Sequence, residues 1–352
     1  MPTSLIAFFS SDAQELYKAD VYRALALPVG SVLHFRYERK YIQSDLLSKL
    51  SSLKNAKGLI FFVSGNDLNL QPNQRNLQSH SIRLVTIKEI VEDQNLDSLH
   101  FYLELEAFAD YSAHPGTSPD LLPPTTFVSQ ITVDDGPNKG WSDRVKRVAQ
   151  FFPKLMFFTI QGVSQNGSPV LPSYNSHTRT SEYHVYEETA YQCEVTFFDP
   201  ENRGTGLEVS TNNAAVQFVV PPNHRLGAQR DTTTFDIQTH TIPQNSLICF
   251  SHLTDRLGHY LGTPMPDAWR VELKWIVGRG RGRTIWFGLA SSIAALGLIL
   301  AKVATDDLSK IITQPFWPDI VQAAWPNLLA AVVALGLVGF SAGYLYEFFN
   351  KK

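Results

Sequence analysis

The stretch WIVGRGRGRTIWFGLASSIAALGLIL, residues 275–300, passes from a strand-like pattern through three arginines that alternate with glycine into an uncharged apolar run. That run, residues 284–301, contains 18 residues without a charge, and a second such run, residues 327–346, contains 20. As helices the two runs would span roughly 27 and 30 Å, about the thickness of the hydrocarbon core of a bilayer. We therefore predict a C-terminal two-helix transmembrane hairpin, with helices at 284–303 and 326–347 and a short extracytoplasmic loop at 304–325.

The charges beside the two runs predict how the hairpin is oriented. Three arginines precede the first run, Lys351 and Lys352 follow the second, and the connection carries two lysines against three aspartates. Because Lys and Arg are enriched on the cytoplasmic side, we expect both termini and the large N-terminal head in the cytoplasm. Four of the six tryptophans lie beside the runs, as a belt at the membrane interface requires: Trp275, Trp286, Trp317 and Trp325.

The segment between the head and the first run, residues 278–283, alternates glycine with arginine. Its arginines mark the cytoplasmic end of the first helix and its glycines make the backbone flexible. The last strand-like pattern reaches the arginines without a Gly/Ser tether, so a displacement of that strand can be transmitted to the helix. The glycines give the joint a few residues of φ/ψ freedom. We predict that one segment both orients the first membrane helix and serves as the hinge for gating. Its residues are Gly278, Arg279, Gly280, Arg281, Gly282 and Arg283.

Small residues four positions apart in both runs predict close packing of helices. Gly288 and Ser292 form such a pair in the first run, and Gly339 and Gly343 form one in the second. In lipid, faces of this kind let helix backbones approach closely, so we expect the hairpin to form a homo-oligomer. The alternative is that Gly and Ala are simply common in membrane helices. No ionisable residue sits in the middle of either run, which argues against a proton relay or a coupled transporter site.

Composition restricts what the head can be. The chain has 352 residues with a net charge of −3, and residues 1–275 carry 23 basic against 29 acidic residues. A net charge of −6 does not suit a surface that coats nucleic acid, although a local basic pocket is compatible with it. The two cysteines, Cys193 and Cys249, form no disulfide framework or metal-ligand spacing, and the N-terminus lacks the basic region of a secretory signal.

The first part of the head, residues 1–150, is predicted to be a mostly β or α+β domain. Its strand-like runs are rich in β-branched and aromatic residues, and VYRALAL (21–27) is included among them. SDLLSKLSSL (44–53) is predicted to be a helix with Ser44 as its N-cap, and WSDRVKRVAQFF (141–152) is predicted to be a second helix.

The second part of the head, residues 151–277, is predicted to be an all-β sandwich or barrel. Strand-like runs alternate there with Pro, Gly and Asn at the spacing of a small sandwich. Before it, the four prolines of residues 112–126 indicate a linker or an exposed loop.

No motif of high specificity for catalysis occurs in the chain. The patterns GxSxG, GxxxxGK[ST] and HExxH are absent, and the glycines at 278–282 precede an apolar run rather than a helix that would hold a phosphate. The histidines occur singly, and His252 and His259 have no carboxylate or Cys at a ligand spacing. We therefore expect no enzyme, no catalytic residues, no cofactor and no metal.

In SVLHFRYERKYI, residues 31–42, one charged residue falls on an apolar strand face. Continued as a strand, the stretch would place Arg39 between Tyr37 and Tyr41 on that face. One interpretation is structural, with the guanidinium stacked on the rings and paired with a buried acid. The other is a pocket in which the tyrosines stack on a base and Arg39 holds a phosphate. The candidate ligand-binding residues are Arg36, Tyr37, Arg39, Lys40 and Tyr41.

A β-rich cytoplasmic head that leads directly into a packing-prone two-helix hairpin resembles the membrane effectors of bacterial anti-phage defence systems. The resemblance is one of architecture and is most evident in residues 275–349. It implies a head that senses a nucleotide or oligonucleotide, supplied by a partner enzyme such as a nucleotidyltransferase. The helices would then form an ion channel or disrupt the bacterial inner membrane. The alternatives are a membrane-anchored scaffold or adaptor that recruits a protein partner, and a membrane-tethered enzyme with an unrecognised site.

Overall fold

The chain forms two compact units, Met1–Val277 and Gly278–Lys352. The computed structural model describes residues 3–65, 77–110, 128–133, 140–152, 155–203, 205–219, 223–240, 244–255, 259–260, 263–264 and 269–278. These residues are β-rich with few helices, which confirms the coarse fold prediction. In these ranges no helix is long and apolar enough to cross a membrane. The predicted hairpin and the predicted linker at 112–126 lie outside the described residues.

The first part of the head is a mixed six-stranded sheet accompanied by short helices. Its strands are β1 (Thr3–Ser11), β2 (Val32–Glu38), β3 (Lys57–Ser64), β4 (Gln78–Asp93), β5 (Ser98–Phe108) and β6 (Val128–Val133). The strand order is β2-β5-β4-β3-β1-β6, in which β1 and β3 are parallel and the other pairs are antiparallel. The helices are α1 (Glu15–Ala26), α2 (Ser44–Leu47) and α3 (Trp141–Val148).

Helix α1 corrects the prediction of a strand at residues 21–27. Its last turns are buried nearly all round, because α1 packs against β1 and β4 and also against the second part of the head. A short run that is buried on all sides lacks a helical stripe and cannot be told from a strand by its period. The alanines at positions 19, 24 and 26 favour a helix there.

The predicted helix at 44–53 is shorter than expected. Helix α2 ends at Leu47 and a separate 3₁₀ turn covers Leu50–Ser52. The hydroxyls of Ser48 and Ser52 donate to the carbonyls of Asp45 and Lys49 at 2.9 and 2.7 Å, and such local bonds compete with a continuous helix. The N-cap is the residue before Ser44 and makes no side-chain capping bond. The prediction at 141–152 is confirmed by α3 and the 3₁₀ turn that follows it.

The second part of the head consists of two larger sheets that pack face to face. The first has the order β14-β12-β16-β19-β10-β9 and the second has the order β13-β15-β11-β7-β8. Phe250 of the first sheet contacts Phe158 and Phe235 of the second, with ring centroids 6.2 and 6.4 Å apart. The strands are β7 (Phe157–Gln165), β8 (Ser168–Val170), β9 (Ser173–Asn175), β10 (Thr180–Tyr186), β11 (Ala190–Phe198), β12 (Gly206–Thr211), β13 (Val216–Phe218), β14 (Asn223–Arg225), β15 (Arg230–Thr239), β16 (Asn245–His252), β17 (His259–Tyr260), β18 (Thr263–Pro264) and β19 (Val271–Gly278).

Strand β19 carries the chain to the end of the described residues. It lies between β16 and β10, and it continues without interruption to Gly278, as the absence of a tether predicts. Its alternation turns Leu273, Trp275 and Val277 into the core. The expectation that Trp275 belongs to an interfacial belt is therefore wrong, because its indole is fully buried against Tyr191. Period-two burial, rather than proximity to the arginines, decides its position.

The close pairing of β1 with β3 predicts that Gly58 tolerates no side chain. A Cβ at Gly58 would lie 2.6 Å from a ring carbon of Phe8 and 2.8 Å from the carbonyl oxygen of Ile6. We expect Gly58→Ala to lower the free energy of unfolding by about 2–3 kcal/mol, because the crowding cannot be relieved within a packed sheet. Gly162→Ala is the matched control, since a Cβ there meets nothing within 4 Å. Thermal unfolding of the full-length protein compares the two; equal losses would contradict the prediction.

Candidate ligand-binding site

The predicted stacking of Tyr37 and Tyr41 around Arg39 does not occur. Strand β2 ends at Glu38, opposite the first residue of β5, so no partner strand continues beside residues 39–41. These residues form a 3₁₀ turn instead. Tyr37 is buried in the core and its hydroxyl donates to the carbonyl of Phe9 at 3.0 Å.

Arg39, which was predicted on the apolar face, lies at the surface. Its guanidinium contacts Glu92 at 2.5 Å and Asp97 at 3.4 Å, and both carboxylates are exposed. The pairing with acids that the structural interpretation predicts is therefore present, but neither acid is buried. The pair is of the surface kind that contributes little to stability.

The other candidate residues separate into two groups. The ammonium of Lys40 contacts Glu38 at 2.5 Å and lies 4.9 Å above the ring of Tyr41. Arg36 is exposed on the outward face of β2, as the alternation of the strand predicts. The structure thus brings Lys40 and Tyr41 together on the turn and leaves Arg36 on a different surface.

Arg36 belongs to a surface that we call the outer histidine strip: His34, Arg36, His100, Tyr102 and Arg179. On the paired strands β2 and β5, His34 stands opposite Tyr102 and Arg36 stands opposite His100. The ring of His34 lies nearly parallel to those of His100 and Tyr102, with centroids 5.0 Å apart in both cases. Nε2 of His34 is 2.8 Å from Nδ1 of His100, so one of these nitrogens donates a hydrogen bond and the other accepts it.

Arg179 reaches the strip from the turn between β9 and β10. Its guanidinium lies 5.7 Å from the ring centroid of Tyr102, and its Nε donates to Glu89 on β4 at 3.2 Å. The hydroxyl of Tyr174 donates to the same carboxylate at 2.5 Å. Arg179 itself has a positive φ of 55°. Glu89 therefore fastens the β9–β10 turn to the outer face of the first sheet.

The electrostatics of the strip favour a neutral imidazole at His34. The pKa of His34 is lowered first by partial burial and then by the positive charges of His100, Arg36 and Arg179. Both effects disfavour a further cation at this position. His100, Arg36 and Arg179 thus all lie close enough to the exposed ring of His34 to lower its pKa.

The turn that carries Arg179 is also connected to β19. In the sheet, β10 lies between β9 and β19. The ammonium of Lys274 on β19 donates to the carboxylate of Glu182 on β10 at 2.6 Å, and Glu182 accepts from Asn175 and Thr178 of the turn. One strand, β10, therefore lies between the turn that carries Arg179 and the strand that ends at Gly278.

His252 is a buried histidine of the core. Its Nε2 lies 2.9 Å from the carbonyl of Met156 and 3.2 Å from the hydroxyl of Tyr22 on α1. Burial lowers its pKa to about 4, so it is neutral at physiological pH. The described residues include no group of three or more His, Cys, Asp or Glu side chains that could hold a metal ion.

An open cavity of about 600 Å³ lies where α1 begins. Its lining includes Asp12, Glu15, Lys18 and Trp269. The indole of Trp269 donates to Glu15 at 3.0 Å, and the carboxylate of Asp12 accepts from the backbone of Gly65 at 2.8 Å. With two carboxylates beside one lysine, the cavity offers less positive charge than the outer histidine strip.

The predicted hinge and packing residues receive no structural description beyond Gly278, which ends β19. The remainder of the predicted set lies outside the described residues: Arg279, Gly280, Arg281, Gly282, Arg283, Gly288, Ser292, Gly339 and Gly343.

Of the five residues of the strip, only Arg36 is among the ligand-binding residues predicted from the sequence. Period-two alternation already placed His34 beside Arg36, and the same rule places His100 and Tyr102 on one face of β5. That β2 pairs with β5, and that Arg179 comes close to Tyr102, is visible only in the folded structure.

Comparison with known proteins leaves the chain without a family. It matches no protein-family model and no curated protein. Among solved structures, it is similar over 27% of its length to 92% of WR4, a C. elegans MSP family member, at 10% identity and a TM-score of 0.19. It is similar over 71% of its length to 98% of domains 4 and 5 of the S-layer protein SbsC, at 8% identity and a TM-score of 0.19. At these TM-scores neither likeness carries an argument.

Proposed function

We propose that the protein is an oligomeric effector or channel of the bacterial inner membrane, gated by its cytoplasmic head, in anti-phage defence. A two-helix transmembrane hairpin at 284–303 and 326–347 would carry the membrane activity, with both termini in the cytoplasm. The proposed ligand is a nucleotide or oligonucleotide made by a partner enzyme such as a nucleotidyltransferase. In this proposal the protein itself is not an enzyme.

One observation carries the proposal: β19 is a core strand that runs uninterrupted to Gly278, directly before the three arginines and the first apolar run. Trp275 and Val277 fix the end of this strand within the sandwich. A strand held so near its end moves with its sheet, whereas a flexible linker would absorb the motion. This continuity supports a head that acts on the membrane segment mechanically.

A route for gating follows from the contacts of the β9–β10 turn. Glu89 on the first sheet holds Arg179 and Tyr174, and Glu182 on β10 holds Lys274 on β19. A ligand that competes with Glu89 for Arg179 would free the turn and bias the position of β10 beside β19. Coupling of this kind needs two arrangements of one element, and the turn is our candidate for that element.

Dye release from liposomes tests the proposal. Full-length protein reconstituted as an oligomer is expected to permeabilise them, because the hairpin acts on the bilayer itself. A membrane-anchored scaffold would leave the liposomes intact at every protein density. Intact liposomes with and without nucleotides would therefore refute an effector function.

A further inference from the structure

The outer histidine strip concentrates nitrogen donors on an exposed sheet face. Arg36 stands opposite His100, and the guanidinium of Arg179 lies 5.7 Å from the ring centroid of Tyr102. Among the described residues Arg36 has no salt-bridge partner, while Arg179 shares Glu89 with a tyrosine. An anionic oxygen bound beside Arg36 would therefore gain a charge-assisted hydrogen bond.

The geometry of the rings indicates which part of a ligand is recognised. The ring of His34 lies nearly parallel to those of His100 and Tyr102, with interplanar angles of 8° and 18°, and it meets His100 edge to edge through a hydrogen bond. The hydrogen bond between Nε2 of His34 and Nδ1 of His100 occupies one nitrogen of each ring, so two neutral imidazoles keep one ring N–H to donate elsewhere. Imidazole N–H and guanidinium groups donate hydrogen bonds to anionic oxygens, so the strip suits a phosphate.

We propose that the outer histidine strip binds a phosphate group of a soluble nucleotide, with Arg36 and the hydrogen-bonded His34–His100 pair as donors and Arg179 closing from the β9–β10 turn. This inference rests on the proposed control of the head by a nucleotide and gives that ligand a site. The strip shares only Arg36 with the residues that the sequence predicts for ligand binding. Binding draws Arg179 away from Glu89 and so acts on the turn that leads to β19.

Calorimetric titration of the full-length, detergent-solubilised protein with ATP and with adenosine tests the site. We expect ATP to bind and adenosine to show no measurable binding, because the strip recognises phosphate. Arg36→Ala and Arg179→Ala should each weaken ATP binding about tenfold or more, since each removes a charge-assisted hydrogen bond. Both side chains are exposed and the ion pair of Arg179 with Glu89 is of the surface kind, so thermal unfolding should change little.

Arg225→Ala is the matched control, because Arg225 is an exposed arginine on the distant edge strand β14 and its loss should leave ATP binding unchanged. Glycerophosphoglycerol, the soluble headgroup of an anionic lipid, separates the two sources of phosphate. Three results would overturn the inference: no binding of ATP, equal binding of ATP and adenosine, or full retention of binding in the Arg36→Ala/Arg179→Ala double variant. Displacement of ATP by the headgroup at equal concentration would also overturn it, because the natural source would then be lipid.

The inference and the proposed function can fail separately. ATP binding that depends on Arg36, in a protein that never releases dye from liposomes, would leave the site intact and remove the effector function. Dye release from a protein that does not bind ATP would leave the effector function intact and remove the site.

Discussion

Replacing Arg83 with methionine is expected to destabilise the head by about 3–5 kcal/mol, or a fall in melting temperature of roughly 10 °C. Arg83 is buried on β4 and donates to the carbonyls of Ala24, Leu27 and Glu106 at 2.9, 2.5 and 2.6 Å. The carbonyl of Ala24 has no helical partner, because the residue four positions later is Pro28, which lacks an N–H.

Arg83 therefore replaces the hydrogen bonds that α1 cannot make at its C-terminus. Its guanidinium lies 4.3 Å from the ring centroid of Phe108, and burial lowers its pKa to about 9, so it stays charged at neutral pH. A cation at this end of a helix is also favoured by the helix dipole. Methionine keeps the apolar stem but leaves buried carbonyls without donors, which costs about 1–3 kcal/mol each.

Two variants make the Arg83 measurement decisive. Arg83→Lys keeps one charged donor and should lose an intermediate amount, because an ammonium cannot span three carbonyls. Arg23→Met removes an arginine of α1 itself, whose ion pair with Asp20 is partly exposed, and should cost at most about 1 kcal/mol. A loss for Arg83→Met no larger than that for Arg23→Met would contradict the role of Arg83 as the cap of α1.

Trp275→Ala should destabilise the head by about 3–5 kcal/mol, because it opens a cavity between the two sheets of the sandwich. The indole is fully buried and lies edge-on to Tyr191, with centroids 5.4 Å apart and an interplanar angle of 80°. Its Nε1 has no hydrogen-bond partner among the described residues. The loss is therefore one of packing, and chemical denaturation of the full-length protein measures it.

Phenylalanine distinguishes the packing of Trp275 from its polarity. Trp275→Phe should be tolerated better than Trp269→Phe, because the indole of Trp269 donates to Glu15 at 3.0 Å and that bond is lost. A Trp275→Ala variant as stable as the wild type would contradict the burial of this residue and favour a place at the membrane interface.

Most strands of the head could be predicted because each carries its own alternation. The pattern of β19, for example, specifies which residues face the core without reference to any partner. Helix α1 could not be predicted in this way, because its burial comes from elements on both sides of it. Arg83 was missed for a related reason: its role depends on Pro28, 55 positions earlier in the chain.

In the candidate site, too, features set by neighbouring residues could be predicted, whereas features set by residues far apart in the chain could not. The alternation of β2 correctly places Arg36 outward, but it does not reveal that the strand stops at Glu38. That end is set by the turn that joins β4 to β5, where the partner strand begins. Arg179 comes from the second part of the head and meets Tyr102 only in the folded protein.

The most direct test of the account is dye release from liposomes that contain the purified full-length protein. A matched control carries an unrelated two-helix hairpin in place of residues 284–347 and keeps the head unchanged. We predict that the wild-type protein releases dye, with a dependence on protein density steeper than linear because the active species is an oligomer, and that the control does not. Liposomes that stay sealed at every density, with and without added nucleotide, would contradict the account.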